Sequence, residues 1–280
     1  MNKKLVGQWM TKEVVLGDPH MRLHDALRVM NRTHIRALPV VDNEQLVGIV
    51  TKRDLLRADV TPVIRNTWDQ YRMVGNLTLE KIMTSGVLTT KPEAHVAKAS
   101  QMMLENKITA LPVLDGEAHL SGILTSSDLF RVVMDEVPGL EEGIQVLDYM
   151  TPDVVTVDPF TTLLEAHRLM AVKRIRSLPV VKNELLMGIV TRTDLLTAAP
   201  SVVVTQGRFE VTDKVLGTPI SFIMTSQPIT IAEDAAITEA ARLMLENKIH
   251  SLPVVNADQD LCGIITETDL FRLLVNRFLA

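Results

Sequence analysis

The sequence predicts an α+β fold built from four β-α-β-β-α repeats. Three observations carry that prediction. The stretch Gly48-Ile49-Val50-Thr51-Lys52-Arg53-Asp54-Leu55-Leu56 recurs as Gly122–Phe130, Gly188–Leu196 and Gly263–Phe271. The Gly-to-Asp separation is 6 in every copy. A Met-Thr pair and a Leu-Pro-Val triplet precede each copy in the same order. One unit of about 55 residues buries too little surface to be stable alone, so the copies must pack on one another.

Each repeat opens on Met-Thr, at Met10-Thr11, Met83-Thr84, Met150-Thr151 and Met224-Thr225. A short β-rich run follows, for example Val154-Val155-Thr156-Val157 or Ile229-Thr230-Ile231. A helix comes next, because apolar residues stand at i, i+3 and i+7, which is one helical face. Those residues are Leu23, Ala26 and Met30, then Val96, Ala99 and Met103, then Leu163, Ala166 and Met170, then Ile237, Ala240 and Met244. Leu-Pro-Val marks a strand, with its Leu 15 residues after the first helical anchor in all four cases. A polar turn such as Asp42-Asn43-Glu44 then closes a hairpin onto the Gly-containing strand. The predicted repeats span 1–58, 76–135, 143–199 and 217–280. The linkers Arg57–Thr78 and Thr197–Thr218 match in length, whereas the middle one is shorter and carries Pro138-Gly139. Two halves, 1–138 and 139–280, are the simplest grouping.

Composition narrows the function classes. Hydrophobic residues make up 46% and charged residues 22%, which suits a packed core. A net charge of -5 provides no global basic field for nucleic acid or an anionic membrane. The single cysteine, Cys262, lies in an apolar run and reads as buried and inert. Met1-Asn2-Lys3-Lys4 leads into only a few apolar residues, unlike a secretory leader, and no apolar run suits a membrane helix. A reducing cytoplasmic compartment is expected.

The Met-Thr opener, the helix, Leu-Pro-Val and Gly-Ile-x-Thr-x-x-Asp together resemble the cystathionine-β-synthase (CBS) domain, and they cover nearly the whole chain. The resemblance implies that copies pair through their sheets into two pseudo-twofold Bateman modules, 1–138 and 139–280. It implies clefts for adenosine-containing ligands such as AMP, ADP, ATP or S-adenosylmethionine. Four copies on one chain look like the γ subunit of AMP-activated kinase, which points to regulation and energy sensing. A regulated partner protein, and a homodimer as one mode of assembly, are implied as well.

The recurring stretch supplies the candidate site. Thr at a strand end with Asp three residues on places a hydroxyl and a carboxylate at a helix N-terminus, where free N–H groups favour phosphate. A carboxylate also suits the vicinal diol of a ribose. The ribose and phosphate candidates are Thr51 and Asp54, Thr125 and Asp128, Thr191 and Asp194, and Thr266 and Asp269. Two residues before Leu-Pro stand Arg36, Thr109, Arg176 and His250. Directly after the Thr stand Lys52, Ser126, Arg192 and Glu267. Arg offers bidentate phosphate contacts. Arg36 with Lys52, and Arg176 with Arg192, therefore make the first and third sites the strongest for a phosphorylated ligand. His250 gains charge as pH falls toward about 6.5, but Glu267 opposes a highly charged phosphate there. Thr109 leaves the second site without a base. Secondary candidates, implied by the family, are the opener hydroxyls Thr11, Thr84, Thr151 and Thr225, with Val14, Val154 and Ile229 toward the adenine.

Each feature also has a structural reading. Thr-x-x-Asp is a capping-box pattern. His167 takes a helix-face position held by Leu27, Ser100 and Ala241 elsewhere, and reads as a packed, hydrogen-bonded histidine. His20, His24, His34, His95 and His119 show no metal spacing, so no metal is expected. The repeated methionines, with Trp9 and Trp68, read as packing residues. No catalytic triad, paired-carboxylate site or Walker loop is present, and no cofactor is expected beyond a regulatory adenine nucleotide. The rival to a sensor is a docking module with empty clefts.

Overall fold

The apolar helical positions decide the layers. In the computed structural model, which describes residues 4–64, 77–138, 143–198 and 216–279, all twelve of those side chains are buried. In chain order the first repeat contributes α1 (Leu23–Thr33), β1 (Ala37–Asp42), β2 (Gln45–Thr51) and α2 (Lys52–Ile64). The second contributes α3 (Val96–Asn106), β3 (Ala110–Leu114), β4 (Leu120–Thr125) and α4 (Ser126–Glu136). The third contributes α5 (Leu163–Lys173), β5 (Ser177–Lys182), β6 (Leu185–Thr191) and α6 (Arg192–Ala198). The fourth contributes β7 (Thr225–Ser226), β8 (Ile231–Ala232), α7 (Ile237–Asn247), β9 (Ser251–Val255), β10 (Leu261–Thr266) and α8 (Glu267–Phe278). Most of both long linkers, and Trp68, lie outside the described residues.

Each hairpin pairs antiparallel in the register that the Leu-Pro-Val and Gly anchors set, with Val40 opposite Gly48 and Val180 opposite Gly188. The Asn43-Glu44 and Asn183-Glu184 turns have φ of 47° and 65°, and of 51° and 68°. Two successive positive φ values match the twist of the strands they join. The β-rich run after each opener adds in parallel to the first hairpin strand, through Gly17 to Val40, Thr90 to Val113, Val157 to Val180, and β8 to β9.

The openers join a different repeat from their own. Thr11 bridges Ile123 of the second repeat, and Thr84 bridges Ile49 of the first. Thr151 bridges Ile264 of the fourth, and β7 pairs with β6 of the third. The residues just ahead of each opener follow it: Val6 N–H donates to Ala94 O at 2.9 Å, and Leu23 N–H to Leu77 O at 3.0 Å. This exchange explains the repeated Gly. A Cβ built at Gly48, Gly122, Gly188 or Gly263 would stand 2.4, 2.6, 2.8 or 2.5 Å from the sulfur of Met83, Met10, Met224 or Met150.

Two compact units result. Unit one comprises 1–14, 88–154 and 228–280, and unit two comprises 15–87 and 155–227. They do not coincide with the halves 1–138 and 139–280. Unit one holds the bodies of the second and fourth repeats, and unit two those of the first and third. The grouping follows helix packing: α3 against α8 and α4 against α7 in unit one, and α2 against α6 in unit two. The core of unit one is continuous across both bodies and includes Phe130, Leu129, Val133, Leu270, Phe271 and Leu274. Unit two has two separate cores, around Met30 and Leu38 and around Met170 and Leu178. Between these two bodies, Leu196 packs against Leu56.

Candidate ligand site

Each second hairpin strand runs directly into a helix, which puts Thr at the strand end and Asp in the first helical turn. The Thr51 N–H and hydroxyl both donate to Asp54 Oδ2, at 3.0 and 2.5 Å. The same pair of bonds measures 2.8 and 2.7 Å at Thr125 and Asp128, and 2.8 and 2.7 Å at Thr191 and Asp194. At Thr266 and Asp269 both are 2.8 Å. The capping reading of this motif is therefore present in all four repeats.

A second backbone bond brings together the two other positions singled out in the sequence. The N–H of the residue after the Thr donates to the carbonyl of the residue two before Leu-Pro. Lys52 thus meets Arg36 at 2.8 Å and Arg192 meets Arg176 at 2.8 Å; Ser126 meets Thr109 at 3.1 Å and Glu267 meets His250 at 2.9 Å. Beyond this shared frame the four starts fall into two kinds.

In unit two, Asp54 and Asp194 are half-buried, as are Lys52, Arg176 and Arg192, while Arg36 is exposed. Arg192 donates from Nη2 to Met170 O at 3.1 Å and Ile175 O at 3.3 Å, meeting carbonyls at the end of α5. Its pKa is lowered, first by burial and then by the positive charges of Arg53, Arg176 and Arg57. Arg53 and Arg57 went unnoticed in the sequence. Neither has a counterpart in the third repeat, where Thr193 and Thr197 stand, so only the packing of α2 near α6 reveals them.

In unit one the carboxylates are more deeply buried. Asp128 and Asp269 are buried, and Oδ1 of each accepts from Arg131 or Arg272, at 2.9 and 2.8 Å. Burial raises both pKa values, against the lowering effect of the Thr hydrogen bonds and of those arginines. Glu267, 4% exposed, accepts from Ser126 Oγ at 2.8 Å. His250 Nδ1 lies 3.2 Å from the same Glu267 oxygen. Ser126 and Glu267 occupy equivalent places in their repeats and meet across 141 residues of chain.

The secondary candidates divide by exposure. Thr11, Thr84, Thr151 and Thr225 are exposed, and Val14 and Val154 half-buried. Ile229 is exposed, at 38%. Because of the opener exchange, Thr11 stands beside the strand leading to Thr125 and Asp128, and Thr84 beside the one leading to Thr51 and Asp54. His167 is half-buried and hydrogen-bonds the Leu195 backbone, as the packed, hydrogen-bonded reading expects, while its Nε2 has no partner. Burial lowers its pKa, and Arg192 lowers it further. Cys262 is half-buried rather than buried; Sγ donates to Val254 O at 3.5 Å, and burial raises the thiol pKa. Among the described residues no cluster of His, Cys, Asp or Glu could hold a metal ion, and no helix is long and apolar enough to cross a membrane.

The family model of the CBS domain matches residues 6–61, 79–135, 146–201 and 220–276. Protein MJ1225 of Methanocaldococcus jannaschii is 29% identical over 273 residues, covering 93% of this chain and 95% of that one. A 33.4 kDa protein in a ribosomal RNA operon of Thermofilum pendens is 30% identical over 264 residues, covering 90% and 85%. The crystal structure of MJ1225, described as a proposed archaeal homologue of γ-AMPK, superposes with a TM-score of 0.80 at 28% identity, covering 96% and 99%. A Pyrococcus horikoshii protein superposes with a TM-score of 0.66 at 25% identity, covering 97% and 100%.

Proposed function

We propose that this chain, which belongs to the CBS domain family, is a non-catalytic regulatory protein that binds adenine nucleotides at the starts of α2 and α6. One observation carries the reading: in unit two the Thr and Asp of each helix start are accompanied by a joined basic pair, Arg36 with Lys52 and Arg176 with Arg192. Helix N–H groups and a guanidinium fork suit a phosphate, and Asp54 or Asp194 suits the ribose diol. Beyond the effect of burial, three guanidinium groups, of Arg53, Arg176 and Arg57, are close enough to Arg192 to depress its pKa. An anion among them offsets that repulsion. The description of MJ1225 as a proposed γ-AMPK homologue agrees with a nucleotide-sensing role. The signal passes to a regulated partner through the packing of α2 against α6.

Thermal melting with AMP, ADP, ATP, S-adenosylmethionine and NADH tests this. A nucleotide at a hundred times its Kd stabilises the binding unit by about 2.7 kcal/mol. That gain should vanish in the Asp54→Ala/Asp194→Ala protein. Unchanged melting with every compound at millimolar concentration rejects the nucleotide reading. A second reading, a docking module with empty clefts, is favoured by the completed Thr-to-Asp caps in all four repeats. A nucleotide found by mass spectrometry in the purified protein would eliminate it.

A further inference from the structure

The start of α8 departs from the starts of α2 and α6 by carrying an acid in place of a base. Glu267 occupies the position of Lys52 and Arg192, directly after the capping Thr. A carboxylate in the first helical turn is favoured by the helix dipole, but its burial is costly unless it is hydrogen-bonded. Here the cost is met from inside the chain. Ser126 Oγ, itself fully buried, donates to Glu267 Oε2 at 2.8 Å. His250 Nδ1 lies 3.2 Å from that oxygen. His250 stands where Arg36 and Arg176 stand in the other unit, so the one basic side chain at this position faces Glu267.

We propose that Glu267 is a specificity-determining residue: it is the fixed anion of the fourth site, and it restricts that site to adenosyl ligands whose 5′ group is neutral or cationic. Nucleotides carrying a phosphate go instead to α2 and α6. The inference rests on the nucleotide reading of unit two and extends it by assigning different ligand charges to the two units. A phosphate brought to the start of α8 meets a buried like charge, in a setting where such repulsion is poorly screened. Asp269 recognises the ribose that both ligand classes share by giving up the Arg272 bond at Oδ1.

Calorimetric titration with adenosine and AMP, which differ only in the phosphate, tests the assignment in the full chain. The Asp54→Ala/Asp194→Ala protein should bind adenosine at least about tenfold tighter than AMP. Adding Asp269→Asn should abolish that adenosine binding. Adding Glu267→Gln instead, which keeps an oxygen to accept from Ser126, should strengthen AMP binding about tenfold or more and leave adenosine within about twofold. Glu267→Lys, which restores the base found at 52 and 192, is the second variant, and circular dichroism confirms folding of each. The proposal is overturned if the Asp54→Ala/Asp194→Ala protein binds AMP as tightly as adenosine, or binds no adenosine. It is overturned too if the folded Gln and Lys variants both leave AMP affinity unchanged. If the wild type binds AMP through Asp54 and Asp194 while these results go the wrong way, this inference fails alone. If the wild type binds neither compound, the nucleotide reading fails and takes this one with it.

Discussion

Unit one and unit two use the same repeat and resolve it differently. In unit one the two bodies share one continuous core, with Phe130 and Phe271 buried at its centre, and the polar groups at the helix starts bond to each other. In unit two each body keeps its own core, Leu56 meets Leu196 where the phenylalanines would be, and the helix starts carry arginine and lysine. The lesson is that one motif can merge two bodies into a single core or leave each with its own. The two units differ at two neighbouring positions: Phe against Leu after Asp-Leu, and Ser or Glu against Lys or Arg after Thr.

The largest expected difference is in the core. Phe130→Ala should cost about 3–5 kcal/mol, while Leu56→Ala, at a half-buried contact, should cost less than about 2 kcal/mol. Urea denaturation measures both, and equal losses would remove the distinction between a shared and a divided core. The opener exchange should be equally vital to both units. Gly188→Val places a Cβ 2.8 Å from Met224 Sδ and Thr225 O, and overpacking of this kind costs about 1–3 kcal/mol. Gly263→Val should cost a comparable amount, and faster amide exchange at Ile189 or Ile264 would locate the damage. Ser126→Ala takes a donor from buried Glu267 and should cost about 1–3 kcal/mol. Lys52→Ala, at the same position in unit two, should change stability by less than about 0.5 kcal/mol.

The smallest effect is in pH. Burial holds the folded pKa of His167, in unit two, below the ordinary 6.5. The unfolded chain therefore takes up the proton first, and the stability that His167 contributes is lost as pH falls through about 6.5. Burial raises Asp128 and Asp269, in unit one, above the ordinary 3.8, so their burial penalty is relieved as pH falls from neutrality toward that value. Melting between pH 7.5 and 5.5 should show a loss of stability that His167→Leu reduces, the remainder belonging to His95, whose pKa is lowered by burial and then by Lys4. If the variant retains the loss in full, the assignment to His167 is wrong.

Much of the fold was legible along the chain because it is local. The i, i+3, i+7 apolar positions all became buried helix faces, and Leu-Pro-Val with Gly-Ile-x-Thr set the hairpin registers. The pairing of Arg36 with Lys52 and of Arg176 with Arg192 was also legible, since strand and helix start are covalently continuous. The opener exchange was not. Thr11 has no periodic relation to Ile123, and its opener reads equally well beside its own hairpin. The gathering of Arg53 and Arg57 near Arg192 was hidden for the same reason.

By itself the sequence determined the four repeats, their helices and hairpins, the capped Thr-to-Asp starts, and which starts carry a base. These follow from periodicity and nearest-neighbour chemistry, which a linear chain encodes directly. Only the tertiary structure decided which bodies share a core, which opener completes which sheet, and that Glu267 is satisfied by Ser126. Those are contacts between segments far apart in the chain, set by which apolar faces can bury each other and by which buried polar groups find a partner.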